Sequence, residues 1–292
     1  IGVEFASGWK EMGVDVTLVE ALPRLVPLED REIGEELNKQ FSRRGIKTLP
    51  GAKVMLETIQ TLPDRVDLEV ESGGNRQRLS AEKLLVATGR AGVTQGIGLE
   101  TIGVQVERGF IKVDPQMRTG VPHVYAIGDV VGGLMLAHKA THEGFIAVET
   151  ILGQNPHPLD PNRIPRCTYC RPQIASLGLS EDEARDKGYG VKVGKFPFTA
   201  NGMATILGER VGFAKIVVDD ESMEILGVHL MGPRVTELIS GQALAKLLES
   251  TPEEIALNVH PHPTLSEVLG EAAEDVFGQA IHFYKPRPVP AS

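Results

Sequence analysis

Near its C-terminus the chain reads His260-Pro261-His262-Pro263-Thr264-Leu265-Ser266-Glu267. This sets an imidazole a few residues before a carboxylate across a stiff turn. A neutral imidazole whose second ring nitrogen is held by a carboxylate is a ready general base near pH 7. Pro261 and Pro263 flank His262, restrict the backbone on either side of it and keep the turn from collapsing into helix. The same residues also have a structural reading. Thr264 and Glu267 fit a T-x-x-E capping box that opens a helix through Val268-Leu269-Gly270-Glu271-Ala272. Glu267 can serve both purposes, because its carboxylate and the backbone it would cap are neighbours.

A second acid stands where a ligand could meet it. Residues 2–12 place Val3, Phe5, Ala6 and Trp9 at helical spacing, with Gly13 as the stop. A strand is expected over Val14–Val19, ending on Glu20. Helix, strand and terminal acid match the second half of a dinucleotide-binding βαβ unit, in which the carboxylate accepts hydrogen bonds from ribose hydroxyls. Gly2 would be the last glycine of G-x-G-x-x-G, the one that lets helix and strand pack closely. Its two partners are expected upstream of Ile1, and the chain is read as the C-terminal part of a longer protein. A carboxylate at Glu20 repels a 2′-phosphate, which favours NAD over NADP.

The elements that follow would carry further ligand contacts. Asp30 is expected to cap a helix that ends near Gly45. Residues 51–86 read as a β-meander. It closes with a buried strand, Leu84-Leu85-Val86, delivered into the turn Gly89-Arg90. A second strand over 121–127 is expected to end in Gly128-Asp129, where an Asp at a strand's carboxyl end would point into a ligand crevice. The alternative is a plain Gly-Asp turn. Met135-Leu136-Ala137-His138 leads into a helix whose first amides could bind a polar ring or an anion.

The bulk numbers bound the rest. With 292 residues, 41% hydrophobic, 24% charged and a formal charge of −9, the chain can form two or three domains. It lacks the basic surface of a nucleic-acid or anionic-membrane binder. It contains neither an apolar run long enough to span a bilayer nor a secretion signal, and two cysteines make no disulfide framework. The cytoplasm or an organelle matrix is the expected setting. Cys167-Thr168-Tyr169-Cys170 offers a C-x-x-C, but no second ligand pair exists for zinc. The surrounding residues 166–176 read as strand rather than helix N-terminus, so ordinary strand thiols are expected.

The C-terminal region reads as an α+β domain. Ser180–Glu183 and Thr251–Glu254 are capping boxes. Strands are expected over 211–218 and 225–231, with a turn at 219–222, and an apolar helix over 239–248 fits a subunit contact. Residues 156–165, with four prolines, form the linker, and residues 285–292, with three, a disordered tail. His142, His157, His229 and His282 show no partner pattern and are assigned to surface or core.

Four stretches occur in register: Ala87-Thr88-Gly89-Arg90, Tyr125-Ala126-Ile127-Gly128-Asp129, Leu136-Ala137-His138-Lys139-Ala140 and His260 to Glu267. Together they resemble the flavin-dependent pyridine nucleotide–disulfide oxidoreductases from residue 1 to about Tyr284. The resemblance implies an α/β protein. A Rossmann-like NAD-binding domain (1–90) would be followed by a central segment contacting FAD (91–160), an α+β interface or dimerisation domain (161–285) and a tail (286–292). It implies that Gly2, Val3, Glu4, Glu20, Val54 and Gly89 line the NAD site, and that Asp129 and Met135, Leu136, Ala137 and His138 contact FAD. His262 would be the proton acceptor, Glu267 would orient it, and no metal is expected. The implied reaction is oxidation of dihydrolipoyl groups through a redox disulfide and FAD, with reduction of NAD⁺. The implied partners are a second copy of the chain and the lipoyl-bearing acyltransferase of a 2-oxo-acid dehydrogenase or glycine-cleavage complex. The family's C-x-x-x-x-C redox pair is not in this sequence. Glutathione- or mercuric-reductase-like chemistry and an inactive dimerisation or docking module are the alternatives.

Overall fold

A computed structural model describes residues 1–283; the expected tail lies outside the described residues. In chain order the elements begin with α1 (Gly2–Glu11), β1 (Thr17–Glu20), α2 (Arg31–Arg43), β2 (Lys47–Pro50), β3 (Lys53–Thr61), β4 (Val66–Ser72) and β5 (Asn75–Ala81). The middle of the chain holds β6 (Val106–Glu107), β7 (Phe110–Ile111) and α3 (Ala137–Ile151). The remainder comprises β8 (Arg166–Thr168), β9 (Gln173–Gly178), α4 (Glu181–Asp186), β10 (Val191–Pro197), α5 (Gly202–Leu207), β11 (Phe213–Asp219), β12 (Ile225–Gly232), α6 (Val235–Leu247), α7 (Pro252–Leu257) and α8 (Glu267–Val276). Ile1–Ala87 and the chain from Pro165 onward form one compact unit, and Thr88–Ile164 a second.

In the first unit, β1 and β2 pair in parallel across α2, with Thr17 opposite Lys47 and Glu20 opposite Pro50. The expected helix–strand half-unit is α1 followed by β1, although β1 runs Thr17–Glu20 and is shorter than Val14–Val19; its parallel pairing with β2 was not expected. Asp30 caps α2 through Oδ1, which accepts the Glu32 N–H at 3.0 Å. Ile33, Leu37 and Phe41 recur every four residues along α2 and are fully buried. Each contributes about 1.5–3 kcal/mol by leaving water. They pack with Val3 and Ala6 of α1 and with Ile174, Phe213 and Met231.

The meander exists as the antiparallel sheet β3-β4-β5, but it ends at Ala81. The expected strand at Leu84-Leu85-Val86 does not form, and these side chains are 43%, 43% and 71% exposed. Among the described residues no strand runs beside this segment to satisfy its backbone groups. An apolar run by itself cannot do so.

Five antiparallel strands in the order β10-β11-β12-β9-β8 form the main sheet, including the two strands expected around the turn at Asp219. Helix α8 lies against β10 and β11, and α6 against β9 and β12. A Cβ at Gly194 on β10 would sit 2.0 Å from the Ala272 carbonyl, so bare glycine sets how closely α8 approaches. Asp275 near the end of α8 accepts the Lys195 N–H at 2.9 Å and fixes the helix along the strand. Both expected capping boxes are present, Ser180 with Glu183 and Thr251 with Glu254.

One buried ionic cluster ties α2 to this sheet. Lys215 of β11, with a side chain 2% exposed, reaches Asp30 at 3.0 Å, Glu32 at 2.9 Å and Glu181 at 2.8 Å. Lys195 completes the cluster by pairing with Glu32. Burial pushes the three carboxyls up, but their hydrogen bonds and charge pairing outweigh it and hold all three below the ordinary range.

The second unit is built differently from the expectation. In place of a strand over 121–127 there is a single bridge, Arg118 to Tyr125, and Gly128–Val131 is a 3₁₀ turn. Local bonds replace the ladder: Val124 N–H donates to the Val121 carbonyl at 3.1 Å and Ala126 N–H to that of Met117 at 3.2 Å. His123, at φ +64°, breaks the extended run. Helix α3 starts at Ala137, with Leu136 as its N-cap.

Candidate active site

The turn before α8 brings His262 and Glu267 together. His262 Nδ1 lies 2.8 Å from Glu267 Oε1, and the other carboxylate oxygen accepts the Thr264 N–H at 2.8 Å. One carboxylate therefore holds both the imidazole and the Thr264 backbone, dividing them between its oxygens. The expected capping box is not formed: α8 starts at Glu267 with Ser266 as its N-cap and no side-chain cap, and the Thr264 hydroxyl donates to the Pro261 carbonyl at 2.7 Å. Partial burial raises the Glu267 carboxyl, but the Thr264 N–H and His262 outweigh it and hold the group below its usual value. Glu267 is thus ionised at neutral pH and selects the His262 tautomer with the proton on Nδ1. That leaves Nε2, on a side chain 76% exposed, as a proton acceptor.

His260 is the packing histidine of the pair. Burial lowers its basicity, Nε2 has no partner among the described residues, and its ring stands against Gly270, where a Cβ would lie 3.2 Å from Cδ2. His282, expected to have no partner, has one: Nδ1 lies 2.6 Å from Glu271 Oε1, one turn along α8 from Glu267. The pair is eleven residues apart in sequence, so no local spacing announced it. His229 is a core residue, with Nε2 2.9 Å from the Leu179 carbonyl.

The expected dinucleotide residues all lie in the first unit except Gly89. Glu20 ends β1 with Oε1 accepting the Leu22 N–H at 2.8 Å, which leaves Oε2 for another donor. Val3 is buried in the α1–α2 core, and Val54 is half-buried on β3. Glu4 is engaged by the protein itself, taking the Tyr169 N–H at 2.8 Å. A Cβ at Gly2 would meet Ala87 and Leu18 at 3.6 and 3.8 Å, ordinary contact, so close packing does not demand glycine there. Gly89, at φ +125°, does occupy a conformation that favours glycine.

In the second unit, Asp129 sits in the Gly128 turn, and Arg90 holds it. Arg90 Nη1 is 3.1 Å from Asp129 Oδ2 and Nη2 is 2.6 Å from the Met135 carbonyl, so one guanidinium joins three of the predicted segments. Beneath the turn, buried Glu143 accepts the Gly128 N–H at 2.8 Å. Lys139 bonds Glu143 at 2.5 Å and the Gly132 carbonyl at 3.2 Å. Sequence reading missed this frame, although the i,i+4 spacing of Lys139 and Glu143 was a visible signal. Leu136, Ala137 and His138 begin α3, where the Leu136 N-cap makes no side-chain hydrogen bond. The free oxygen of Glu20 suits a ribose diol. The glycine turn at φ +80° and the Asp129 carboxylate suit a polyhydroxylated group.

The two cysteines are free thiols. Cys167 lies in β8 and Cys170 in the connection to β9. Burial raises both thiols, that of Cys170 to about 12. Among the described residues no group of His, Cys, Asp and Glu could hold a metal ion, and no helix is long and apolar enough to cross a membrane.

Two family profiles match this architecture. The profile described as pyridine nucleotide-disulphide oxidoreductase matches residues 1–144, and that family's dimerisation domain matches residues 164–273. The chain belongs to the pyridine nucleotide-disulphide oxidoreductase family. It is 50% identical over 283 residues to the dihydrolipoyl dehydrogenase of Bacillus subtilis (strain 168), covering 97% of this chain and 60% of that protein. It is 44% identical to the dihydrolipoyl dehydrogenase of Rhizobium etli, covering 97% of this chain and 59% of that one. Among solved structures, LpdA from Mycobacterium tuberculosis aligns with a TM-score of 0.85 at 28% identity over 94% of this chain and 59% of its own. The HOCl-induced flavoprotein disulfide reductase RclA from Escherichia coli aligns at 0.86 and 27% over 94% and 61%. The chain thus spans about 60% of the length of the curated relatives it matches.

Proposed function

We propose that this chain supplies the NAD-binding, flavin-contacting and interface portions of an NAD-dependent dihydrolipoyl dehydrogenase. The observation that carries the reading is the His262–Glu267 pair, with the Nδ1 hydrogen bond made and Nε2 open to solvent. Its functional divisions are 1–90 for NAD, 91–160 for FAD contact and 161–285 for the interface. Glu20 accepts the ribose hydroxyls of NAD, Gly89 lets the cofactor approach the backbone, and Gly2, Val3, Glu4 and Val54 border the site. Asp129 and the start of α3 from Met135 to His138 receive FAD. When bound, FAD carries the electron pair from a dithiol to NAD⁺.

Within that scheme the chain's own residues move one proton and hold two ligands. His262 Nε2 takes the proton of a dihydrolipoyl thiol, and the resulting thiolate attacks a disulfide. Glu267 stabilises the imidazolium formed. Cys167, in β8, and Cys170, buried between β8 and β9, are free thiols and are not assigned to that disulfide. The net change is dihydrolipoyl plus NAD⁺ to lipoyl plus NADH and a proton.

The partners follow from the same reading: a second copy of the chain, and the lipoyl-bearing acyltransferase of a 2-oxo-acid dehydrogenase or glycine-cleavage complex. Leu244, Leu247 and Leu248 on and just after α6, with Leu257 and Val259, are exposed apolar side chains in the part matched by the dimerisation profile. They support a homodimer. We place the enzyme in the cytoplasm or an organelle matrix. The likeness to RclA favours a second reading, another flavoprotein disulfide reductase. The test is NAD⁺ reduction by dihydrolipoamide with the full-length gene product, against NADPH plus glutathione disulfide. Lipoamide-dependent NADH formation supports the first reading; its absence from a flavin-loaded protein rejects it in favour of the second.

A further inference from the structure

The His262 turn is gripped from a second side. Asn201 caps α5, its Oδ1 accepting the Ala204 N–H at 2.8 Å, while its Nδ2 donates to the Thr264 carbonyl at 3.0 Å. One neighbour is a donor and the other an acceptor, so the amide has a single orientation that satisfies both. Asn201 is 4% exposed, which makes both bonds costly to lose. The Thr264 residue is therefore held at both ends, its carbonyl by Asn201 and its N–H by Glu267 Oε2. Glu267 Oε1 in turn holds His262 Nδ1 at 2.8 Å. The start of α5 also stands beside the imidazole, because a Cβ at Gly202 would lie 3.9 Å from His262 Cε1.

We propose that Asn201 is a positioning residue for the His262 base, acting through the Thr264 backbone and Glu267 to hold the imidazole in its Nδ1–H tautomer with Nε2 free. This rests on the functional reading above only for its kinetic consequence; the structural chain of contacts stands without it. The sequence hides the role, because Asn201 and Thr264 are 63 residues apart and Asn before Gly-Met-Ala reads as a plain helix cap.

The test uses Asn201→Asp and Asn201→Ala in the full-length protein. The Asp variant keeps the acceptor for Ala204 but turns the donor into a carboxylate oxygen facing the Thr264 carbonyl, while the Ala variant removes both bonds without adding charge. The first readout is the ¹⁵N chemical shifts of the His262 ring at neutral pH, which report the tautomer directly. Wild type should be mainly Nδ1–H, and both variants should move toward the Nε2–H form that free histidine prefers. The second readout is dihydrolipoamide turnover, where kcat should fall on the order of 10-fold with KM little changed. Unchanged ring shifts with a lowered Tm would overturn the proposal and leave Asn201 as a helix cap only. His262→Gln, assayed alongside, separates the two ideas. Full activity in that variant sinks the base assignment, whereas the ring shifts still decide the role of Asn201.

Discussion

Replacing Lys215 by Met tests the largest electrostatic claim made by the fold. The ammonium is 2% exposed and touches Asp30, Glu32 and Glu181. Methionine fills a similar volume, so the change removes charge while leaving little cavity. Breaking a buried pair from one side costs about 3–5 kcal/mol, because the remaining charge stays buried. Asp30 keeps two backbone donors, Glu32 N–H at 3.0 Å and Glu181 N–H at 3.2 Å. Glu32 is 34% exposed and Glu181 21%, so water relieves part of their loss. The expected cost at pH 7 is therefore about 3 kcal/mol, the low end of that range. Urea unfolding followed through Trp9, the chain's one tryptophan, reads the same compact unit.

The pH dependence sharpens this test. The folded values of the three carboxyls lie below their ordinary 3.8 and 4.5. Their contribution is thus fully present above those ordinary values and is lost as pH falls through the depressed folded ones. Lys215 is shifted upward and stays charged throughout this acid window. Wild type should lose stability steeply below about pH 4. The Lys215→Met protein has no ammonium to depress Asp30, so the gap between the two proteins should narrow with acid. A loss under about 1 kcal/mol at pH 7, or a gap that stays constant down to the acid limb, would refute the reasoning.

Four further outcomes are expected. His262→Gln should lower lipoamide turnover about 10²–10⁴-fold, and its exposed position predicts an unchanged Tm; wild-type rates would remove it from the mechanism. Glu20→Ala should erode a preference for NAD over NADP by roughly 10-fold in kcat/KM, and equal use of both cofactors by wild type would dispose of the assignment. Glu143→Gln should weaken flavin retention on the order of 10-fold, since it loosens the Gly128 turn; fluorescence titration with unaltered affinity would count against that frame. Cys170 should react with a thiol reagent at pH 8 far more slowly than free cysteine, and rapid labelling of the folded protein would contradict its burial.

Where chemistry depends on neighbours in sequence, the chain announced it. His262 and Glu267 are five residues apart, within one turn and its helix cap, and the proline-bounded spacing gives them little freedom to part. The capping boxes at Ser180 and Thr251, the Asp30 cap and the two strands flanking Asp219 were legible for the same reason: each is settled by side chains within a few residues. Short apolar runs were the failures. Leu84-Leu85-Val86 and residues 121–127 carry strand composition, but a strand exists only where another backbone satisfies it, and that partner is not a property of the segment. Tertiary structure alone decided the contacts between distant residues: Asn201 on Thr264, Glu271 on His282, Arg90 on Asp129 and Lys215 among three carboxylates. These pairings depend on where the folded elements bring residues distant in sequence; for buried Asn201 and Lys215 the need for a partner is set by burial, which no local pattern of residues records.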